Sequence, residues 1–353
     1  MSKTQDKVVK EDIKRITTQL KDLIPLLEDQ TVLITGGSGF LGKYIVSTLL
    51  SLNNKGLKKP CKIISVDNHI TSEKESSTEK TPHLTLIAQN IKRKLNHPGK
   101  VDYIIHAAGI ASPIYYQKFP LETIDAAVTG TRNMLELAKK KKVKGFLFFS
   151  SSEIYGDPTP NAIPTKENYK GNVSCFGPRS CYDESKRLGE TLCYIYHNLY
   201  NLPIKIVRPF NIYGPGMGPF DHRVIPTFIL KALTGGPIPV HSSGKQTRTF
   251  CYISDAVTGF FQVLLSGQSG QAYNVGSSDN EINMNRLANI LKKVFKGSIE
   301  IENIDYPKDY PQDEPQRRCP DLKKIKKDVK YRPQVSLQEG LSKTVLWCRK
   351  NWL

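Results

Sequence analysis

Tyr182 and Lys186 stand four residues apart in the stretch GPRSCYDESKRLGE, residues 177 to 190. On a helix that spacing puts both side chains on one face. A phenol titrating near about 10 is a poor base at neutral pH, but an ammonium beside it favours the phenolate and lowers that value. The pair could therefore shuttle a proton. A helix with Tyr on its core face and Lys in water has the same spacing, so the pair gains meaning only from what the fold sets around it.

Two other groups of residues supply that surrounding. In TGGSGFLG, residues 35 to 42, Gly36, Gly39 and Gly42 allow a tight turn, close approach of the backbone to a pyrophosphate and close helix packing. The motif follows an apolar run, TVLIT, and opens a helix near Phe40. After the next apolar run comes Asp67, whose carboxylate can hold an adenosine ribose diol and repels a 2′-phosphate, which favours NAD over NADP. The second group is Ser150, Ser151, Ser152 and Glu153, which close the apolar run KGFLFF with three hydroxyls and a carboxylate. Serines at strand ends are commonly turn formers, so this group carries chemistry if it lies beside Tyr182 and Lys186.

The elements that must position these residues follow from the pattern of apolar runs. TVLITGG (31 to 37), CKIISVDN (61 to 68), LTLIAQN (84 to 90), VDYIIHAAG (101 to 109), KGFLFFSSSE (144 to 153) and IKIVRPFN (204 to 211) read as strands, several of them separated by helical patterns. Alternation of this kind predicts an α/β fold of the Rossmann type, a doubly wound parallel sheet with ligands outside the carboxyl ends of its strands. Pro, Gly and short mixed elements beyond Tyr213 predict a smaller C-terminal α/β lobe that selects the substrate. The expected division is a helical extension over 1 to 29, a cofactor domain over 30 to 211 to which 250 to 275 return, and a substrate lobe made of 212 to 249 and 276 to 353. In the extension, Ile13, Ile16, Leu20, Leu23, Ile24 and Leu27 predict an amphipathic helix from Asp12 to Leu27, packed on the body or on a partner subunit. SEKESSTEK, residues 72 to 80, reads as a surface loop.

Bulk properties narrow the class. A chain of 353 residues exceeds the size at which one core stops growing. No apolar run reaches membrane-spanning length, and the first 29 residues resemble neither a secretory signal nor an anchor. Seven cysteines without a CxxC pair suit a reducing, cytoplasmic setting and suggest no metal site. The charge of +18 attracts anionic partners, yet the lysine tracts at 139 to 142 and 323 to 327 lack interleaved aromatics and read as solvated surface rather than a nucleic-acid face. Arg223, Arg248, Arg317 and Arg318 carry forked donors that could bind a diphosphate, although Arg317 reads equally as surface.

Taken together, TGGSGFLG, Asp67, HAAG, SSSEIYG, YxxxK and RPFNIYGP resemble the extended short-chain dehydrogenase/reductase family of NAD-dependent epimerases and dehydratases. The narrower marks SEIYGDP, GPRSCYDESKR and KQTRTFCYISD resemble the branch of that family that decarboxylates UDP-glucuronate to UDP-xylose. The resemblance spans about Gln30 to Gly340. It implies a catalytic set of Ser151, Tyr182 and Lys186, with Glu153 at the position of that branch's glutamate. It assigns Gly36, Gly39, Phe40, Leu41, Gly42, Asp67, Asn68, Asn90, Ile91, Ala107, Ala108 and Pro209, with Tyr182 and Lys186, to NAD. Tyr116, Glu153, Asn211, Arg223, Arg248 and Arg318 match substrate contacts, a UDP-sugar being the expected substrate. A homodimer is implied, formed by the helices around Leu121 to Lys142 and Ser180 to Tyr200, whose apolar faces suit intrachain packing equally well.

The chain departs from the family pattern at Asn90, where an acid is usual, and at Ala127, where an Asn is usual. It departs again at Ser185 for Gly, Gly216 for Arg and His241 for Tyr. The reaction implied is oxidation of a sugar C4 hydroxyl by bound NAD, loss of the C5 carboxylate as carbon dioxide, and return of the hydride. Alternatives within the family are a uronate 4-epimerase, which shares the first oxidation, and a 4,6-dehydratase, whose proton-donating Asp is replaced here by Ser152. From another class, a non-catalytic nucleotide-binding or nucleic-acid-binding protein could use the same fold.

Overall fold

The computed structural model describes residues 6–71, 81–279, 281–297, 299–306 and 315–353. The stretch from 72 to 80, read above as a surface loop, lies outside them. Helix α1 (Lys7–Gln19) starts earlier and ends earlier than the apolar spacing predicts. Asp6 caps it, its carboxylate accepting from the Val8 N–H at 2.8 Å, and Val8 and Val9 are buried in its first turn. The predicted C-terminal half is instead a turn followed by a single 3-10 turn, Ile24–Leu27, opened by Pro25, which lacks the N–H a continuing helix needs. The helix packs on the body of its own chain, with Ile13, Ile16 and Leu20 in the main core.

The central sheet takes its strands in the order expected of the alternating pattern. β1 (Thr31–Thr35) leads to α2 (Phe40–Lys55), β2 (Lys62–Asp67), β3 (Leu84–Ala88) and β4 (Tyr103–His106). Then come α3 (Pro113–Lys118), α4 (Pro120–Asp125), α5 (Thr131–Lys141), β5 (Gly145–Phe149), α6 (Ser180–Tyr200) and β6 (Ile204–Pro209). A π-turn, Ala126–Gly130, joins α4 to α5. After the short β7 (Ile212–Tyr213) the chain builds α7 (Val224–Leu233), β8 (Ile238–His241), β9 (Thr247–Arg248) and β10 (Cys251–Tyr252). It returns to the sheet through α8 (Ile253–Ser266) and β11 (Gln271–Val275), then leaves again as β12 (Ile282–Asn283), α9 (Met284–Val294), β13 (Ile301–Ile304), β14 (Arg317–Arg318), α10 (Lys323–Val329) and α11 (Leu337–Asn351).

All seven strands of the main sheet run parallel in the order β11-β6-β5-β4-β1-β2-β3. Every residue of β1, β4 and β5 is buried, because helices cover both faces, which explains why these strands read as unbroken apolar runs rather than alternating ones. The strand order reverses between β1 and β4, and that is where an open parallel sheet leaves a crevice beyond its carboxyl ends. Small sheets of β8 with β13, and of β12, β9 and β14, form the wall that faces this crevice.

Candidate active site

The glycine-rich turn joins β1 to α2. Gly36 has φ +76, and a Cβ there would lie 2.9 Å from the Ala108 backbone, while one on Gly42 would lie 2.0 Å from the Gly36 carbonyl oxygen. Only hydrogen fits at either place, so the turn lies flat against β4 and the start of α2 faces the crevice. That helix begins at Gly39 with no side-chain cap and no acid in its first turn, which leaves its N–H groups for an anion. Asp67, at the end of β2, accepts from Ser38 N–H at 3.0 Å and His69 N–H at 2.8 Å, one bond to each oxygen, and each oxygen has a further lone pair for a diol. Asn68 and Asn90 close local turns at the ends of β2 and β3, accepting from Ile70 N–H and Lys92 N–H. Ile91 is buried beneath them against Gly130. This glycine-walled cradle with its carboxylate fits a dinucleotide.

Ala107 and Ala108, which form the wall beyond β4, are held by a hydrogen-bonded chain through His106. Thr131 Oγ1 donates to Ala127 O at 2.6 Å, so it accepts from His106 Nε2–H at 3.0 Å. The other ring nitrogen, Nδ1, then accepts from Thr35 Oγ1 at 2.7 Å, and Thr35 Oγ1 accepts from Ala108 N–H at 3.2 Å. Full burial and the nearby Lys186 charge hold this imidazole neutral, with its pKa pushed down to about 3.

Ser151 follows β5, and Tyr182 and Lys186 sit one turn apart near the start of α6; all three are buried. The Tyr182 hydroxyl is hydrogen-bonded to Ser151, and its ring stacks on Tyr116 with centroids 5.4 Å apart at 15°. Lys186 Nζ donates to the Phe149 carbonyl at 2.7 Å and lies 5.8 Å from the Tyr182 ring centre. The expected lowering of the Tyr182 pKa by Lys186 is not what this geometry gives. Burial pushes the phenol up to about 12, helped by Glu153 and Asp183, against the Ser151 hydrogen bond and the Arg223 charge. Burial likewise brings Lys186 down to about 8. At neutral pH the resting pair is thus a phenol and an ammonium.

Glu153 stands in the turn after Ser151. Arg318 forks onto it, NH1 to Oε1 and NH2 to Oε2 each at 2.5 Å, and Arg179 also donates to Oε2. The guanidinium of Arg318, expected to meet substrate, is therefore spent largely on this carboxylate. Arg223 similarly forks onto Asp221, and Arg248 donates to the carbonyls of Thr247, Pro315 and Gln316. Asn211, at φ 43, donates to Thr249 O at 2.8 Å. Arg317 is exposed and pairs with Glu281.

One cleft of about 610 Å3 brings together Phe40, Leu41, Ala107, Tyr116, Ser151, Glu153, Tyr182, Lys186, Pro209, Asn211, Arg223, Arg248 and Arg318. The glycines, Asp67, Asn68, Asn90, Ile91 and Ala108 flank it at the ends of β1 to β4. Sequence reasoning assigned no role to Arg179 or His222, which also line the cleft. Arg179 was legible in outline, since it precedes Tyr182 by three residues within the quoted GPRSCYDE. His222 gave no signal of its own.

A hydroxyl, a phenol and an ammonium beside a dinucleotide cradle can move a proton and support hydride transfer. The comparisons with known proteins agree with this chemistry. UDP-glucuronic acid decarboxylase 6 of Arabidopsis thaliana is 40% identical over 312 residues, 88% of this chain and 86% of that protein. Among solved structures, epimerase Mth375 of Methanothermobacter thermautotrophicus superposes with a TM-score of 0.80 at 25% identity, covering 95% of this chain and 97% of that one. A dTDP-glucose 4,6-dehydratase of Streptomyces venezuelae, DesIV, solved with NAD bound, gives 0.77 at 26% identity over 91% and 98%. Residues 32–276 match the family model itself, and the chain belongs to the NAD dependent epimerase/dehydratase family.

Proposed function

We propose that this enzyme decarboxylates UDP-glucuronate to UDP-xylose. The observation that carries the reading is the meeting, in one cleft, of the Ser151, Tyr182 and Lys186 set with a Glu153 clamped by Arg318 and Arg179. The relatives named UDP-glucuronic acid decarboxylase support the choice of substrate. NAD, held by the glycine turn, Asp67 and the Ala107 wall, supplies a two-electron acceptor for the C4 hydride that is regenerated within each turnover. Tyr182 first gives its own proton to solvent, a loss favoured by the nearby Lys186 ammonium; the phenolate, with Ser151 sharing its hydrogen bond, then takes the proton of the C4 hydroxyl and is a neutral phenol again. With C4 a ketone, the C5 carboxylate is that of a β-keto acid: the bond from C5 to the carboxylate breaks, carbon dioxide leaves, the electron pair passes into the C4 ketone as an enolate, and a proton from solvent then goes to C5 to restore the ketone. Glu153, fixed by its two arginines, positions the sugar, and Tyr182 returns the proton as C4 is reduced. Arg223 and Arg248 face the diphosphate from the opposite wall.

The enzyme acts as a homodimer in this reading. On α6, Leu188, Ile195 and Leu199 repeat on one face and are 45%, 40% and 68% exposed, and Leu121 of α4 is 73% exposed. A face of this kind suits a second copy packing helix on helix. The seven free cysteines, five of them buried, suit a reducing cytoplasmic setting. Incubation with UDP-glucuronate, read by mass and by carbon dioxide release, tests the function. Release of carbon dioxide with UDP-pentose is expected; an isomer of unchanged mass would replace this reading with a uronate 4-epimerase, and no turnover of any nucleotide sugar would favour a binding protein.

A further inference from the structure

Helix α1 precedes the α/β body in sequence, yet it carries a carboxylate with no exposure to solvent. Asp12 is 0% exposed. Its Oδ2 accepts from the phenols of Tyr44 at 3.1 Å and Tyr252 at 2.8 Å, and its Oδ1 accepts from Lys343 Nζ at 3.3 Å. Burying a carboxylate is costly unless it is paired and hydrogen-bonded, so the site is favourable only while all three donors stay in place.

Those donors come from separate parts of the fold, and two of them lead to the cleft. Tyr44 lies in α2 two residues beyond Gly42, and its ring meets Phe40 edge-on, with centroids 6.4 Å apart at 80°. Phe40 lines the cleft beside the glycine turn, and Gly216 of the opposite loop is close enough that a Cβ there would touch both rings. Tyr252 ends β10, four residues after Arg248, and packs edge-on against Tyr213, centroids 5.6 Å apart at 70°. Tyr213 also lines the cleft. Lys343 belongs to α11, along which α1 is further held by Arg15 to Glu339 at 2.9 Å and Lys350 to Asp6 at 3.2 Å.

We infer that Asp12 is a positioning residue for the cofactor site: by holding the Tyr44 and Tyr252 hydroxyls on one carboxylate, the amino-terminal helix fixes the first turn of α2 against the wall that carries Arg248. Hydrogen bonds from two phenols are directional and set ring orientation, which an apolar contact between the same helices would leave loose. The helix thereby acts on the width of the cleft without touching any ligand.

The test uses the full chain stripped of NAD and reloaded by titration, with NAD affinity read by calorimetry well below the melting temperature. Asp12→Asn keeps the shape and one acceptor oxygen; Tyr44→Phe removes one hydroxyl and leaves the ring on Phe40. Both should weaken NAD by about tenfold, while Lys350→Ala, which removes the exposed α11 partner of Asp6 at the start of the amino-terminal helix, should leave affinity within about twofold. A melting temperature lowered by Asp12→Asn with NAD affinity unchanged would make the residue a staple for stability alone and overturn the inference. Should Asp12→Asn fail to fold, Tyr44→Phe decides the matter by the same affinity criterion.

Discussion

Arg318 and Glu153 come from elements 165 residues apart, yet their side chains meet as a two-pronged pair at 2.5 Å with only 8% and 15% of each side chain exposed. The pair ties the turn after β5 to β14 across the cleft. Substituting Lys for Arg318 replaces a planar fork by a single point donor, so Glu153 keeps its charge partner and loses its orientation. Arg318→Lys is expected to fold and to lower kcat on UDP-glucuronate by about 100-fold, the range over which misplacement of a reacting group acts. Arg318→Ala should also lower the melting temperature, because the carboxylate then rests on Arg179 alone. Steady-state kinetics beside a thermal melt separates the two effects.

Tyr182 sits with its pKa pushed up to about 12, mainly by burial. Tyr182→Phe removes the proton carrier and leaves the ring stacked on Tyr116, and it should cost about 100- to 10,000-fold in kcat with NAD still bound. Ser151→Ala removes a hydrogen bond that draws the phenol pKa down, so it should cost less, and its residual rate should keep rising to a higher pH than that of the wild type. A Phe variant with wild-type turnover would assign the proton transfer elsewhere.

How far the sequence reaches depends on what each residue's neighbours are. The sheet was legible because strands buried on both faces, such as TVLIT and GFLFF, must be apolar throughout, and the glycine turn was legible because Gly36 and Gly42 admit no Cβ. Helix α1 was misplaced because Leu23, Ile24 and Leu27 continue the helical spacing after the helix has ended, while the Asp6 cap that starts it lies before the apolar stripe. Asp12 reads as a polar-face residue in any helical wheel, and only the two tyrosines packed against it reveal a buried carboxylate. Burial is also what reversed the expected direction for Tyr182, since desolvation outweighs the Ser151 hydrogen bond and the Arg223 charge. The candidate residues for both ligands were named from spacing and resemblance, whereas the internal pairing of Arg318, Arg223 and Arg248 depends on partners that no spacing encodes.

His106 links acid stability to the cofactor wall. Its imidazole falls from 6.5 to about 3 on folding because it is buried as a neutral donor and acceptor between Thr131 and Thr35. Between those two values the unfolded chain binds a proton that the folded chain refuses, so stability from this group is complete above pH 6.5 and is lost as pH falls, at about 1.4 kcal/mol per unit. Asp255, raised by burial from 3.8 to about 6, acts in the opposite sense over its own window, favouring the folded chain as pH falls from 6 to 3.8. Thermal melts at pH 7 and near pH 6 isolate the histidine best. The wild type should lose stability over that step, and His106→Gln, less stable at pH 7, should lose less.

The outward face of α6 makes the last prediction. Leu188, Ile195 and Leu199 recur at helical spacing, and Leu199 leaves 68% of its surface in solvent when the chain stands alone. Covered by a second copy, such side chains contribute about 25 cal/mol for each Å2 removed from water, and an aspartate among them would be left desolvated and unpaired. Leu199→Asp is therefore expected to shift the solution mass from dimer to monomer while the melting temperature at low concentration, set by a core the residue does not enter, stays nearly unchanged. Tyr182 and Lys186 lie on the same helix, so the monomer should also turn over more slowly, and raising the concentration of the wild type through its dissociation range should restore rate and mass together. Equilibrium sedimentation paired with an activity titration reads both; a wild-type chain that sediments as a monomer at every concentration would leave this face to some other contact.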